Sequence, residues 1–98
     1  MPRNRNTRVD GSPFAASTIA AVWSKGRSIP SYDPDVWRHD ICGAAMKRDQ
    51  YGATQSQNGW ETDHIKPVTR GGGDELSNLQ PLQWENNRRK GDVYPWSC

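Results

Sequence analysis

The sequence predicts a small α+β domain with a polar arm at its N-terminus. Three observations lead there. The chain has 98 residues, low in the roughly 50 to 250 residue span of single domains, so it can build one core only. Hydrophobic residues make up only 33%, yet net charge is just +2, and five Trp with three Tyr supply apolar area that a disordered chain lacks. Finally, helical spacing near the start gives way to extended segments punctuated by turn signals, and helix formers return near the end.

Residues 1–13 are polar, carry Arg3, Arg5 and Arg8 and close at Pro13, so they read as a flexible basic arm. Residues 14–98 read as one domain. From Phe14 to Lys25, the residues Ala15, Ala16, Ile19, Val22 and Trp23 recur at helical spacing, and Gly26 stops the helix. Residues 28–35 hold two prolines and connect onward, with one turn at 35–38 capped by Asp33 or Asp35. An extended segment over 44–51 and a second over 60–65 are separated by the turn signal Gln57-Asn58-Gly59. Gly71-Gly72-Gly73 places a loop over 67–77, and Trp84 to Lys90 reads as a short helix ended by Gly91. The expected order of the second half is therefore strand, strand, loop, helix.

No apolar run approaches the roughly 20 residues of a membrane span, and no apolar stretch follows the first residues as in a secretory signal. An intracellular protein with no membrane partner is expected. Cys42 and Cys98 are too few for a disulfide framework and read as two free thiols. The arginines of the arm and the cluster Arg88, Arg89, Lys90 suit a phosphate backbone, although solvated charge explains them equally simply.

Asp63 and His64 are adjacent at the end of the second expected strand. A carboxylate can hold a divalent cation and an imidazole can take a proton from water, which together can hydrolyse a phosphodiester. By itself such a pair is as readily a surface hydrogen bond. The surrounding frame is more specific: Asp63-His64-Ile65, Pro67, Gly71-Gly72-Gly73, Asn78-Leu79, then Asn87 nine positions after Asn78 and Lys90 twelve positions after it.

This frame resembles the HNH endonuclease family, in the variant where the third motif residue is Asn. The core of the likeness spans about 41–92, and it extends loosely to small free-standing bacterial and phage proteins. The resemblance implies a ββα-metal fold preceded here by a helical extension. It also implies a metal-dependent endonuclease that cuts DNA, most simply double-stranded DNA. His64 would be the general base, Asp63 and Asn87 the ligands of one divalent cation, Mg²⁺ or Mn²⁺, and Asn78 a residue hydrogen-bonded across the loop to aim His64. Asn86 is the rival ligand. Lys66, Arg70, Arg88, Arg89 and Lys90 would meet nucleic-acid phosphates. Many relatives bind a structural zinc through two Cys-x-x-Cys pairs; the corresponding places here are Cys42, Ala45, Gln83 and Asn86, so no structural zinc is expected.

Three points stay open at this level. His39, between Arg38 and Asp40, reads more readily as a surface residue than as part of the site. Consecutive strand residues face opposite ways, so Asp63 and His64 can address one centre only if the strand bends or ends there. A non-cleaving nucleic-acid-binding module, or a phage or bacterial assembly component with a protein partner, would share the same finger.

Overall fold

The computed structural model describes residues 5–98; Arg3 lies outside the described residues. The element order is α1 (Ala16–Trp23), β1 (Arg27–Ser28), β2 (Trp37–His39), β3 (Ala45–Lys47), β4 (Trp60–His64), β5 (Leu79–Gln83) and α2 (Trp84–Lys90). β1, β2 and β3 form one antiparallel sheet, and β4 and β5 form a separate antiparallel hairpin. The α+β class is as read from the sequence.

The strand pairing differs from expectation in one respect. The segment around β3 pairs with β2, and the partner of β4 is β5, in register Trp60↔Gln83 through His64↔Leu79. β5 was not expected from the sequence, and Pro81 sits at its centre, where proline usually demotes a strand. Here Pro81 stands opposite Thr62. The Thr62 N–H points away from β5 and is taken by Asn6 Oδ1 at 2.7 Å, so this is a non-hydrogen-bonded pair and β4 asks no donor of Pro81. The ββα unit is therefore β4, loop, β5, α2.

All five residues of β4 are buried, because both of its faces are covered. Trp60 faces the core, which gathers Phe14, Val22, Trp23, Met46, Trp60 and Leu79, with Ile19 and Tyr51 packed on it. Trp23 and Trp60 meet at 5.1 Å between ring centroids. Their indole N–H groups donate to Pro34 O and Arg48 O, so neither ring is buried with an unmet donor. The α1 extension thus supplies half of the core. Lys25, just past its end, donates to the carbonyls of Leu76 and Leu79 and fastens the extension to the start of β5.

The arm is docked rather than free over its described part. A turn at residues 8–12 closes on itself through Arg8 N to Ser12 O and Gly11 N to Arg8 O, both 2.8 Å, while Asp10 Oδ1 accepts from the Ser12 N–H and hydroxyl. Asn6 caps the outer edge of β4 and also accepts from the Tyr51 hydroxyl. These partners lie 45 and 56 positions away in sequence, beyond the reach of local composition.

A buried carboxylate joins the two sheets. Asp40, 1% exposed, accepts at Oδ1 from the N–H groups of Cys42 (2.9 Å) and Ala44 (2.8 Å). Its Oδ2 accepts from Gln83 N and Asn86 Nδ2, both at 3.0 Å. Three of the four places where relatives would offer thiolates, Cys42, Gln83 and Asn86, thus donate to one anion, and the fourth donor is Ala44, next to Ala45. Cys42 is not a free thiol: it is bonded to Cys98, with Cα atoms 5.5 Å apart, which corrects the sequence reading. A pairing across 56 positions constrains the unfolded chain by about 4 kcal/mol on loop entropy.

Asp40→Ala removes an acceptor shared by four donors and leaves Gln83 N and Asn86 Nδ2 unmet in the interior. The expected cost is about 3 to 5 kcal/mol. It should appear in urea unfolding as a lower midpoint at unchanged slope; a loss below about 1 kcal/mol would show that Asp40 is not the tie.

Candidate active site

Strand alternation divides the chemistry of β4 between two faces. Glu61 and Asp63 face α2, whereas Thr62 and His64 face the core side, where Tyr51 and Phe14 meet them. The strand stays regular through His64, so no bend brings the two motif side chains onto one face.

On the α2 side, Gln83 starts the helix by accepting from Glu85 N and Asn86 N at 3.1 Å. That cap fixes the helical register. Asn86 turns to Asp40, Asn87 Nδ2 donates to Glu61 Oε1 at 2.9 Å, and Lys90 Nζ lies 3.3 Å from Asp63 Oδ1 and 2.9 Å from His64 O. Gln80, opposite Asp63, donates to its Oδ2 at 2.9 Å. Of the two neighbouring asparagines, Asn87 faces the carboxylate layer. Trp84 points elsewhere, donating to Ser56 O and carrying Arg88 over its ring at 4.9 Å.

Lys90 corrects the sequence reading. It is 2% exposed and paired with Asp63, so its ammonium is a buried counter-charge and not a surface contact for phosphate. Lys66, Arg70, Arg88 and Arg89 are exposed; Arg70 Nε donates to Asp92 O, and Arg89 donates to Asn86 Oδ1. His39 lies half-buried in β2.

Asn78 crosses the loop. Its Oδ1 accepts from Lys66 N at 2.8 Å, and its Nδ2 donates to Lys66 O at 3.1 Å and Gly73 O at 2.9 Å. Its own carbonyl accepts from Ile65 N, so one residue fixes the chain just beyond His64. Gly72 is required there, since a Cβ would lie 1.7 Å from Lys66 O.

His64 is 7% exposed, with the Phe14 ring at 5.8 Å and Nε2 only 2.8 Å from Asp74 Oδ1. Asp74 is the residue sequence reasoning missed. It stands ten positions after His64, beyond three glycines, and nothing local distinguishes it from Glu75. An ionised carboxylate only accepts, so Nε2 must carry the proton, and in the neutral ring Nδ1 keeps the lone pair.

For a metal, the donor chemistry is that of a hard site. Asp63 offers a carboxylate and Asn87 an amide whose nitrogen is committed to Glu61, leaving Oδ1 to face a cation. Among the described residues no group of three or more His, Cys, Asp or Glu side chains is gathered. A cation here would draw most of its ligands from water and phosphate, as Mg²⁺ commonly does. It would also meet the Lys90 ammonium already on Asp63 Oδ1.

Burial pushes the Asp63 carboxyl up from its ordinary value, and Gln80 and Lys90 hold it back. A raised carboxyl favours the fold while protonated, below the free-acid value of 3.8, and loses that contribution as pH rises through its folded pKa. Lys90→Met removes the offsetting cation, so at neutral pH it should cost about 3 to 5 kcal/mol. That cost should shrink as the solution is acidified through the Asp63 pKa, where the carboxyl no longer needs a partner. Chemical denaturation of both proteins across the acid range checks it; a cost independent of pH would assign Lys90 a packing role only.

The HNH endonuclease family model matches residues 41–92 of the chain. No curated protein and no solved structure matches it. The matched segment holds Asp63, His64, Asn78 and Asn87, and the β4–β5–α2 unit is consistent with the ββα-metal fold of that family, whose members are generally endonucleases and typically use a divalent metal. Covering more than half of the chain, the match shows that this protein belongs to the HNH endonuclease family.

Proposed function

We propose that the protein is a metal-dependent endonuclease that hydrolyses phosphodiester bonds in double-stranded DNA with His64 as general base. The observation that carries this reading is the imidazole itself: it is buried, and its Nε2 is tied to a carboxylate, so its Nδ1 keeps the lone pair. A base held this way needs no reorganisation when the proton moves. Nδ1 takes the proton from water, the water oxygen bonds to phosphorus, and the bond from phosphorus to the 3′ oxygen breaks, the leaving oxygen taking a proton from solvent water, which leaves 5′-phosphate and 3′-hydroxyl ends.

A divalent cation held by Asp63 and Asn87, Mg²⁺ or Mn²⁺, would supply Lewis acidity at the phosphate and offset charge on the leaving oxygen. Asn78 holds the chain beyond His64, and Lys90, through His64 O, fixes the same backbone from the α2 side. Lys66, Arg70, Arg88 and Arg89 supply exposed cations for the DNA backbone. In this reading no structural zinc takes part: of the four positions where relatives carry cysteines only Cys42 is one here, and it is bonded to Cys98.

Nicking of supercoiled plasmid with and without Mg²⁺ tests the reading. His64→Ala should lower the rate by about 10² to 10⁴-fold and leave DNA binding intact. Asp63→Ala and Asn87→Ala should each raise the Mg²⁺ concentration needed, whereas Asn86→Ala should lower thermal stability through its lost bond to Asp40. DNA binding by a wild-type protein that never nicks would favour the non-cleaving module instead. Cleavage by His64→Ala at the wild-type rate would remove His64 from its role.

A further inference from the structure

We propose that Asp74, clamped by the N-terminal arm, is the positioning residue for the His64 base, so that residues outside the family-matched segment complete the site. This rests on the nuclease reading above. Both Asp74 oxygens are in use. Oδ1 accepts from His64 Nε2 at 2.8 Å and Val9 N at 3.0 Å; Oδ2 accepts from Val9 N at 3.2 Å and lies 3.6 Å from Arg8 Nε. Val9 N is presented by the closed turn at residues 8–12, and that turn is anchored by Asn6 on the edge of β4. From the other side Asp74 is fixed through Gly73, whose carbonyl accepts from Asn78. Phe14, which follows the arm, packs on the imidazole.

The arrangement gives the arm a task different from gathering phosphates. Arg8 and the Val9 N–H keep the carboxylate aimed, and the carboxylate, accepting from the ring, keeps the proton on Nε2 and the lone pair on Nδ1. Losing a group that acts only through the base lowers kcat and spares KM, whereas losing a phosphate contact raises KM.

Full-length Asp74→Asn, Arg8→Ala and Arg5→Ala would be compared with wild type in steady-state cleavage of a DNA duplex with Mg²⁺. In parallel, imidazole ¹⁵N NMR without DNA, with His39→Gln to assign the two histidines, would read the tautomer of His64. Asp74→Asn should lower kcat by about 10²-fold at near-constant KM and abolish the fixed Nε2–H tautomer. Arg8→Ala should lower kcat several-fold. A wild-type spectrum with the proton on Nδ1, or Asp74→Asn with unchanged kcat, would overturn the proposal. So would equal rises in KM for Arg8→Ala and Arg5→Ala at unchanged kcat, which is the behaviour of a phosphate-tracking arm. If wild type cleaves nothing, the nuclease reading fails, and the spectra alone still decide whether Asp74 fixes the imidazole.

Discussion

The carboxylate of Asp40 accepts hydrogen bonds from two segments that lie about forty positions apart, and the placement of the site residues follows from it. Binding Gln83 N and Asn86 Nδ2, it fixes where β5 ends and how α2 is rotated. With Asn86 turned to Asp40, the next residue, Asn87, reaches Glu61, and Lys90 reaches Asp63. Burying a carboxylate is costly unless its lone pairs are met; four donors meet them here. In this chain an anion and the N–H groups around it draw the two segments together.

The same tie explains how a thinly apolar chain keeps polar chemistry inside. Among the described residues nine polar or charged residues are buried, namely Asp40, Glu61, Thr62, Asp63, His64, Gln83, Asn86, Asn87 and Lys90, and no buried side-chain nitrogen or oxygen lacks a partner. The network runs along both faces of β4. One face carries the carboxylates, their asparagine and their lysine; the other carries the imidazole and its aspartate. Strand alternation therefore sets Asp63 and His64 on opposite faces of β4, each with its own polar partners.

What the sequence made legible was local or carried by spacing. The Asp63-His64 pair at the end of a strand and the glycine loop were local, and spacing singled out Asn78, which hydrogen-bonds across that loop, and Asn87, which reaches Glu61 beside Asp63. Three features did not show. β5 carries Pro81 at its centre, tolerated because its missing N–H faces away from β4. Lys90 looked like part of a surface basic run, since nothing local says that one lysine in three cations turns inward to a carboxylate 27 positions away. Asp74 and the arm depend on a contact across 65 positions, and composition made the arm look solvated. Each omission is a long-range contact that reverses a sound local inference.

If hydrogen bonds around Asp40 hold the scaffold and a divalent ion serves only the chemistry, chelation separates the two. Purified protein treated with EDTA, followed by far-UV circular dichroism and a thermal melt, and assayed for plasmid nicking on the same sample, makes that measurement. A weak Mg²⁺ site near saturation adds only about 1 kcal/mol, so the melting temperature should fall by no more than about 5 °C with the spectrum unchanged, while nicking stops and returns on adding Mg²⁺. Unfolding on chelation would contradict it and place a structural ion where hydrogen bonds to Asp40 now stand.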